Sequence, residues 1–277
     1  MRNQPLIQTG YAPVNGTELY YETLGEGSPL ILIHGGQLDR RMWDEQFRVF
    51  AQSHRVIRYD VRDHGLSKCP AGAYAHHEDL QGLLEHLQIG QATLMGLSLG
   101  ALIAIDFALV HPDKVNALLL VSPGLSGYAA PSEQVLANHA QMIKAWEAGD
   151  MESVVEYFLR SWVDGPQRTQ AQVDALVRER VRSMALERII QGPSEGEPQP
   201  LTPPALDRLG EIHVPTLVVV GDLDMPDILA IAEILVGGIA TAERTVMPGV
   251  AHMANMEHPA EFNQLVQDFL RKQRMIA

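Results

Sequence analysis

The sequence predicts an α/β fold: a mostly parallel central sheet with helices on both faces and a helical cap insertion. Three observations predict it. Short, wholly apolar runs alternate with stretches of helical spacing over residues 29–121, and the rhythm returns over 214–272. Several of those runs end abruptly in glycine-rich or acidic loops, as buried parallel strands do. Between the two series, residues 125–209 carry helical spacing and no convincing strand.

Taken in order, residues 17–24 alternate in polarity and are rich in Tyr and Thr, which predicts a strand near a sheet edge. Residues 29–33 form an apolar run ending in His34-Gly35-Gly36. Helical spacing follows over 42–52, then a strand over 55–59 that ends at Asp60, and a helix over 76–87. The apolar strand 91–97 leads into Ser98, with a helix from Leu99 to Val110 behind it and a further strand over 115–121. The β-α-β-α order requires parallel strands joined by crossover helices. Residues 135–148, 151–163 and 170–190 each predict a helix, and 191–204, rich in Pro, Gly, Glu and Gln, a linker. A strand over 214–220, a helix over 226–236, a strand near 244–247 and a helix over 259–272 complete the chain. The reading is therefore a core of residues 1–124 and 210–277, with a cap of residues 125–209. In open parallel sheets, ligands bind beyond the carboxyl ends of the strands. A segment leaving after Val121 would roof that place.

Composition narrows the partners. With 277 residues, 46 % hydrophobic and 20 % charged, the chain suits a soluble domain with a substantial core. A net charge of −13 argues against nucleic acid and anionic membranes. The single cysteine, Cys69, allows no intrachain disulfide, and its loop offers no neighbouring base to make it a nucleophile. Residues 1–10 lack the apolar core of a secretory leader, and no run approaches the ~20 apolar residues of a membrane span. A cytoplasmic location with no membrane partner is the expectation. Nothing in the sequence sets an oligomeric state.

The chemistry starts at Ser98, the centre of Gly96-Leu97-Ser98-Leu99-Gly100. A bare G-x-S-x-G is common. A strand before it and an apolar helix after it turn it into a nucleophile elbow, with the serine held up on a sharp turn. The flanking glycines make room for the neighbouring strand and helix. A serine nucleophile needs a base, and the base needs an orienting acid. Of eleven histidines, His252 lies just after the last strand, at the same sheet edge as Ser98. His34 and His64 also sit at strand ends, and His34 is expected to brace loops. His76, His77, His86, His111, His139 and His258 read as surface or helix-end residues. For the acid, the strand over 214–220 empties into a loop with Asp222, Asp224 and Asp227. Turn chemistry and capping of the next helix account for Asp227. An oxyanion needs two backbone N–H donors. Leu99 supplies one, and Gly36, in the loop after Ile33, allows a close backbone approach for the other. No His, Cys or Asp cluster has zinc-ligand spacing, so neither a metal nor another cofactor is expected.

These motifs resemble the α/β-hydrolase superfamily, in particular its small, capped esterase and lactonase-like branch. The residues that carry the resemblance are His34-Gly35-Gly36, Arg58 through Ser67, Gly96 through Gly100, Gly221-Asp222-Leu223-Asp224, and Pro248 through His252 with Glu257-His258-Pro259. It covers the chain except the helical insertion. It implies Ser98 as nucleophile, Asp224 as acid, His252 as base, and Gly36 with Leu99 as oxyanion donors. Asp224 has the family's Gly-x-x-Asp spacing and Asp222 does not. Asp63 departs from the pattern, standing where relatives have glycine. It either contacts a polar substrate group or alters the turn. Relatives with an aspartate nucleophile are excluded by Ser98. The implied activity is hydrolysis of a small carboxylic ester or lactone without metal, with acyl-homoserine lactones and 3-oxoadipate enol-lactone considered first. A hydrolase-like ligand receptor is the rival from another class. A carbon–carbon bond hydrolase, a thioesterase or a perhydrolase are rivals among enzymes. Expected substrate contacts are Gln37 and Met253, beside Gly36 and His252, with Trp162, Tyr157 and Met184 from the cap. Trp146 and Phe158 lie on the same cap helices.

Overall fold

In the computed structural model, which describes residues 6–273 and Met275, eight strands form one sheet. In chain order the elements are β1 (Gln8–Val14), β2 (Thr17–Leu24), β3 (Ser28–Ile33), α1 (Asp44–Phe50), β4 (His54–Tyr59), β5 (Gly72–Tyr74), α2 (His76–His86), β6 (Ala92–Leu97), α3 (Leu99–Val110) and β7 (Val115–Val121). Then come α4 (Glu133–Glu147), α5 (Met151–Leu159), α6 (Ala175–Ile190), β8 (Gly196–Pro198), β9 (Thr216–Gly221), α7 (Pro226–Gly238), β10 (Ala242–Met247), α8 (Ala254–Glu257) and α9 (Pro259–Lys272). The sheet order is β1-β2-β4-β3-β6-β7-β9-β10. Strands β4 through β10 in that order pair in parallel, and β1 and β2 join antiparallel at one side. All parallel strands therefore point their carboxyl ends to one edge.

Both faces are covered. Helices α2, α3 and α7 pack one face with Leu80, Leu83, Ile103, Phe107, Ile228 and Ile231. Helices α1 and α9 pack the other with Phe47, Phe50, Phe262 and Val266, and α5 and α6 extend that second core. The central strands β4, β3, β6, β7 and β9 are largely buried; Leu30, Ile31, Leu32 and Ile33 have no exposed surface. That double burial explains why they are apolar without alternation.

Four differences from the sequence expectation have physical causes. Strand β1 lies outside β2, so the strand at residues 17–24 is second from the edge. Gly10 and Pro13 hide β1 in the sequence. Pro13 is tolerated because β1 pairs on one side only. Residues 1–5 of the segment read for a leader lie outside the described residues. The short strand β8 falls within the stretch read as strandless, and pairs in parallel with β5. Its sequence is Gly-Glu-Pro, so only the partner makes it a strand. The helix expected over 170–190 is a 3₁₀ turn, Gln170–Gln172, followed by α6, because Asp174 caps a new start by accepting the Leu176 N–H at 2.7 Å. Asp227 does not cap the helix it stands in. It lies in the first turn of α7 and takes the Ser132 N–H at 2.6 Å, and Ser132 is the N-cap of α4.

The helices between β7 and β9 are fastened to the rest by charge. Arg41 pairs with Glu187 at 2.6 Å, Arg168 with Glu257 at 2.6 Å, Arg180 with Asp44 at 3.3 Å, and Arg188 with Asp63. Asp63, with φ +72°, thus meets a helical-segment arginine rather than standing free in the turn. Helix α5 packs between α4 and α6. Among the described residues no helix is long and apolar enough to cross a membrane.

Candidate active site

Ser98 stands between β6 and α3 with φ +55° and ψ −110°, a conformation few L residues adopt. Its neighbours impose it. A Cβ on Gly96 would lie 2.1 Å from the Gly100 carbonyl oxygen, and one on Gly100 would lie 2.1 Å from the Ile33 carbonyl oxygen. Both glycines are therefore steric necessities of strand and helix meeting at this angle. The Ser98 N–H donates to the Val121 carbonyl at 3.0 Å, which ties the turn to β7. The Ser98 carbonyl accepts from Gly124 at 3.1 Å and from Leu102 at 3.0 Å. The strain is thus held by the sheet edge on both sides.

His252 lies in the loop after β10, before α8, and is 2 % exposed. Its Nδ1–H donates to Asp224 Oδ2 at 2.9 Å and lies 3.1 Å from Oδ1. Asp224, 1 % exposed, also accepts the Met225 N–H at 2.7 Å. These two bonds fix the carboxylate plane and leave Nε2 as the free nitrogen of His252. The three loop carboxylates are thereby sorted. Asp224 meets the imidazole, Asp222 takes the Gly249 N–H at 2.7 Å, and Asp227 holds Ser132. Asp222 thus ties the two loops together without reaching His252.

The loop after β3 is organised by two neutral imidazoles. His34 donates from Nδ1 to the Gly35 carbonyl at 2.8 Å and accepts the Val61 N–H at Nε2, also 2.8 Å. His64 donates from Nδ1 to the Arg62 carbonyl at 3.0 Å and accepts the Gln37 N–H at 3.2 Å. Each ring needs one bare nitrogen, so neither can protonate without losing a bond. Burial pushes His34 down to about 4; burial, with His34 alongside, pushes His64 down to about 3. His34 is a brace, as expected, and His64 joins it. The same bonds sort the amides of the loop. Gly35 N–H points to Met42 Sδ at 3.3 Å and Gln37 N–H is taken by His64. Gly36 N–H meets no acceptor among the described residues, and Gly36 faces Leu99, whose Cβ would be 3.9 Å from a Cβ at Gly36. The Arg58 to Ser67 motif serves the same architecture. Asp60 accepts the Arg40 N–H at 2.9 Å and the Leu66 N–H at 2.8 Å, and a Cβ on Gly65 would strike that carboxylate at 2.3 Å.

Ser98, Gly36, Leu99 and His252 line one cavity of about 380 Å³. Gln37, Met253 and Trp162 line it too, as expected from the sequence. Its other walls are Gly35, Leu38, Leu97 and, from the helical segment, Val135, Asn138, His139, Met142, Phe158 and Ser161. Trp162 does more than roof the space: its ring centroid is 4.6 Å from that of His252.

Two expected contacts are corrected. Tyr157 and Met184 do not line the cavity. Tyr157 is one residue, about 100° of helix, away from Phe158, so only one of them can face inward; its ring lies under Arg160, 5.6 Å from the guanidinium carbon. Met184 is buried in the second core and lies beside Leu38 and Arg41, where α6 meets the loop after β3. Trp146 is exposed and also misses the cavity. Conversely, sequence reasoning passed over Val135, Asn138, His139 and Met142. Their i, i+3, i+4, i+7 spacing marks one face of α4. The polar pair in its middle looks like a solvent face until the helix is placed.

A family model described as alpha/beta hydrolase fold matches residues 28–259. The 3-oxoadipate enol-lactonase 2 of Acinetobacter baylyi is 26 % identical over 264 residues, covering 92 % of this chain and 93 % of that protein. A 2-hydroxy-6-oxononadienedioate/2-hydroxy-6-oxononatrienedioate hydrolase of Paraburkholderia phymatum is 30 % identical over 271 residues, 92 % of each chain. Among solved structures, a thermophilic esterase from Thermogutta terrifontis superposes with a TM-score of 0.78 at 26 % identity, covering 96 % of this chain and 99 % of that one.

Proposed function

Because the chain belongs to the α/β-hydrolase fold family, we propose that it is a serine hydrolase of small carboxylic esters or lactones. One observation carries this reading: a strained serine and a buried Asp–His pair open onto the same small cavity. In the proposed reaction Ser98 Oγ attacks the carbonyl carbon while His252 Nε2 takes its proton. Asp224 holds the Nδ1–H tautomer and stabilises the imidazolium that forms. The carbonyl oxygen becomes an oxyanion held by the N–H groups of Gly36 and Leu99, the latter at the N-terminus of α3. Collapse of the tetrahedral adduct expels the alcohol, which receives the proton from His252. Water, deprotonated by His252, then attacks the acyl-enzyme and returns Ser98 and the free acid.

A cavity of about 380 Å³ supports a small-molecule partner over a polymer chain in this reading. The helices between β7 and β9 act as its cap in this reading. The enol-lactonase and esterase relatives support ester and lactone chemistry. A second reading follows from the Paraburkholderia phymatum relative, with hydrolysis of a 2-hydroxy-6-oxo dioate as the reaction. A fluorophosphonate probe should label Ser98 alone, and a panel of acyl esters, lactones and such dioates should be ranked by kcat/KM. Short and medium acyl esters or lactones leading that ranking with repeated turnover is the expected result. A single burst without turnover would indicate a ligand receptor, and dioates in the lead would favour the second reading.

A further inference from the structure

Among the described residues the walls of the cavity that holds Ser98 include no lysine and no arginine. The only titratable side chains in the lining are His252 and His139, and His139 is exposed on α4. The helical segment is nevertheless rich in arginine. Its arginines are engaged elsewhere: Arg178 with Asp164 at 3.0 Å and Glu156 at 2.8 Å, and Arg182 with Glu156 at 2.9 Å. Arg180 and Arg188 are held by Asp44 and Asp63, and Arg168 by Glu257. Lys144 is exposed and two residues beyond Met142, about 200° around α4 from that lining side chain. A substrate carboxylate entering this cavity would lose water and meet no lysine or arginine among the described residues, which is costly.

One polar group on the helical wall is oriented. Ser161 Oγ–H donates to the Tyr157 carbonyl at 2.9 Å, so its proton is spent. It can then only accept, and it takes Nδ2–H of Asn138 at 2.9 Å. This settles which end of the Asn138 amide is which. Oδ1 takes no hydrogen bond from the described residues, and Asn138 is part of the cavity wall. An oriented amide oxygen in a largely apolar wall selects a hydrogen-bond donor and rejects an anion.

We propose that Asn138, set by Ser161, is a specificity residue, and that the substrate is an uncharged ester or lactone bearing an N–H or O–H donor on the part that faces α4. This rests on the serine-hydrolase reading and sharpens it. The 3-oxoadipate enol-lactone, which carries a free carboxylate, falls outside the class, and so do dioates.

The test uses the whole protein and two substrate pairs. The first is p-nitrophenyl hexanoate and the p-nitrophenyl monoester of adipic acid, alike in reach but differing in the terminal carboxylate. Expected is at least a 100-fold preference in kcat/KM for the neutral ester, narrowed about tenfold or more by Met142→Lys. The second pair is an α-acylamino-γ-butyrolactone and its N-methyl analogue, which lacks the donor. The wild-type protein should prefer the N–H form about tenfold or more. Asn138→Leu should erase that preference, its kcat/KM values for the N–H and N-methyl lactones agreeing within about twofold whatever its absolute rates. Ser161→Ala should weaken the preference partway, because the amide is no longer oriented. Equal or faster hydrolysis of the adipate monoester, or an Asn138→Leu variant that keeps the N–H preference, would overturn the proposal while the serine-hydrolase reading stands. No turnover of any of the four compounds would overturn both.

Discussion

The loops at the carboxyl edge of the sheet and the helices that lie above them are built on opposite principles. At the edge, each polar side chain near Ser98 has its partners assigned by backbone that strands already hold. Asp224 is fixed by Met225 N–H, His34 by Gly35 and Val61, and His64 by Arg62 and Gln37. In the helical segment, position is set mainly by side chains: an apolar seam between α5 and α6, and arginine–carboxylate pairs along the join. The first arrangement holds atoms to the fraction of an ångström that bond-making demands. The second lets the wall of the cavity change by substitution without disturbing the chemistry. Under the proposed function, geometry for reaction is concentrated in one region and geometry for choice in the other.

The sharpest way to break this contrast is to remove the proposed nucleophile. Ser98→Ala should cost on the order of 10⁴ to 10⁶ in rate. It should not lower stability, since it removes a hydroxyl from a turn held by backbone bonds. Ordinary turnover by this variant would end the serine assignment. Next in size is Asp224→Asn, expected to lower kcat by about 10⁴ because an amide favours the wrong tautomer of His252. Asp222→Asn, which touches only Gly249 N–H, should stay close to wild type. The reverse order would show that the carboxylate that matters is not the one 2.9 Å from the imidazole.

Substitutions in the helical segment should behave differently. Met184→Ala should lower unfolding free energy by about 2–5 kcal/mol, as large-to-small changes in a core do, without altering the ranking of substrates. Trp162→Ala should change both acyl preference and the labelling rate of a small phosphonate, the latter by up to about tenfold, because the indole packs on His252. Thermal melts read beside substrate profiles separate the two. A Met184 variant with a new preference would place the specificity wall elsewhere.

The smallest effect sharpens the contrast through pH. His34 and His64 are neutral when folded, with values pushed down to about 4 and about 3, against about 6.5 in an unfolded chain. Their contribution is full above pH ~6.5 and is lost as pH falls through that window toward 4 and 3. From pH 7 to 4.5 the cost is on the order of 2 kcal/mol for each ring. Glu187, held below the usual carboxylate range by its hydrogen bond to Arg41, keeps its charge over much of that span. Acid should therefore loosen the edge loops before it unpins the helices. The urea midpoint should drop over this range in the wild type and drop less in His64→Gln, whose amide can still accept from Gln37. An identical fall in both would refute the role given to His64.

Much of this arrangement is legible in the amino-acid order, and the reason is local. Doubly buried strands must be apolar throughout, so β3, β6, β7 and β9 announce themselves. Gly96 and Gly100 are readable because only glycine survives a carbonyl oxygen 2.1 Å away. Asp224 was separable from Asp222 only through its spacing in a known motif, and the loops of β9 and β10 then bring it to His252. What the sequence by itself determined is the parallel series β3, β4, β6, β7, β9 and β10 with the helices between them in the core, and which residues stand at its carboxyl edge. Period and steric exclusion act within a few residues of each other there. What only the tertiary structure decided is which helical face looks inward. Phe158 rather than Tyr157, Asn138 rather than Met184, and Asp227 holding Ser132 instead of its own helix all depend on rigid-body placement of α4 to α6. That placement rests on ion pairs between residues 89 to 146 positions apart along the chain, and pairing at such range leaves no period in the sequence. The short strand Gly196–Pro198 makes the same point: its residues have no strand preference, and β5 alone gives them a ladder.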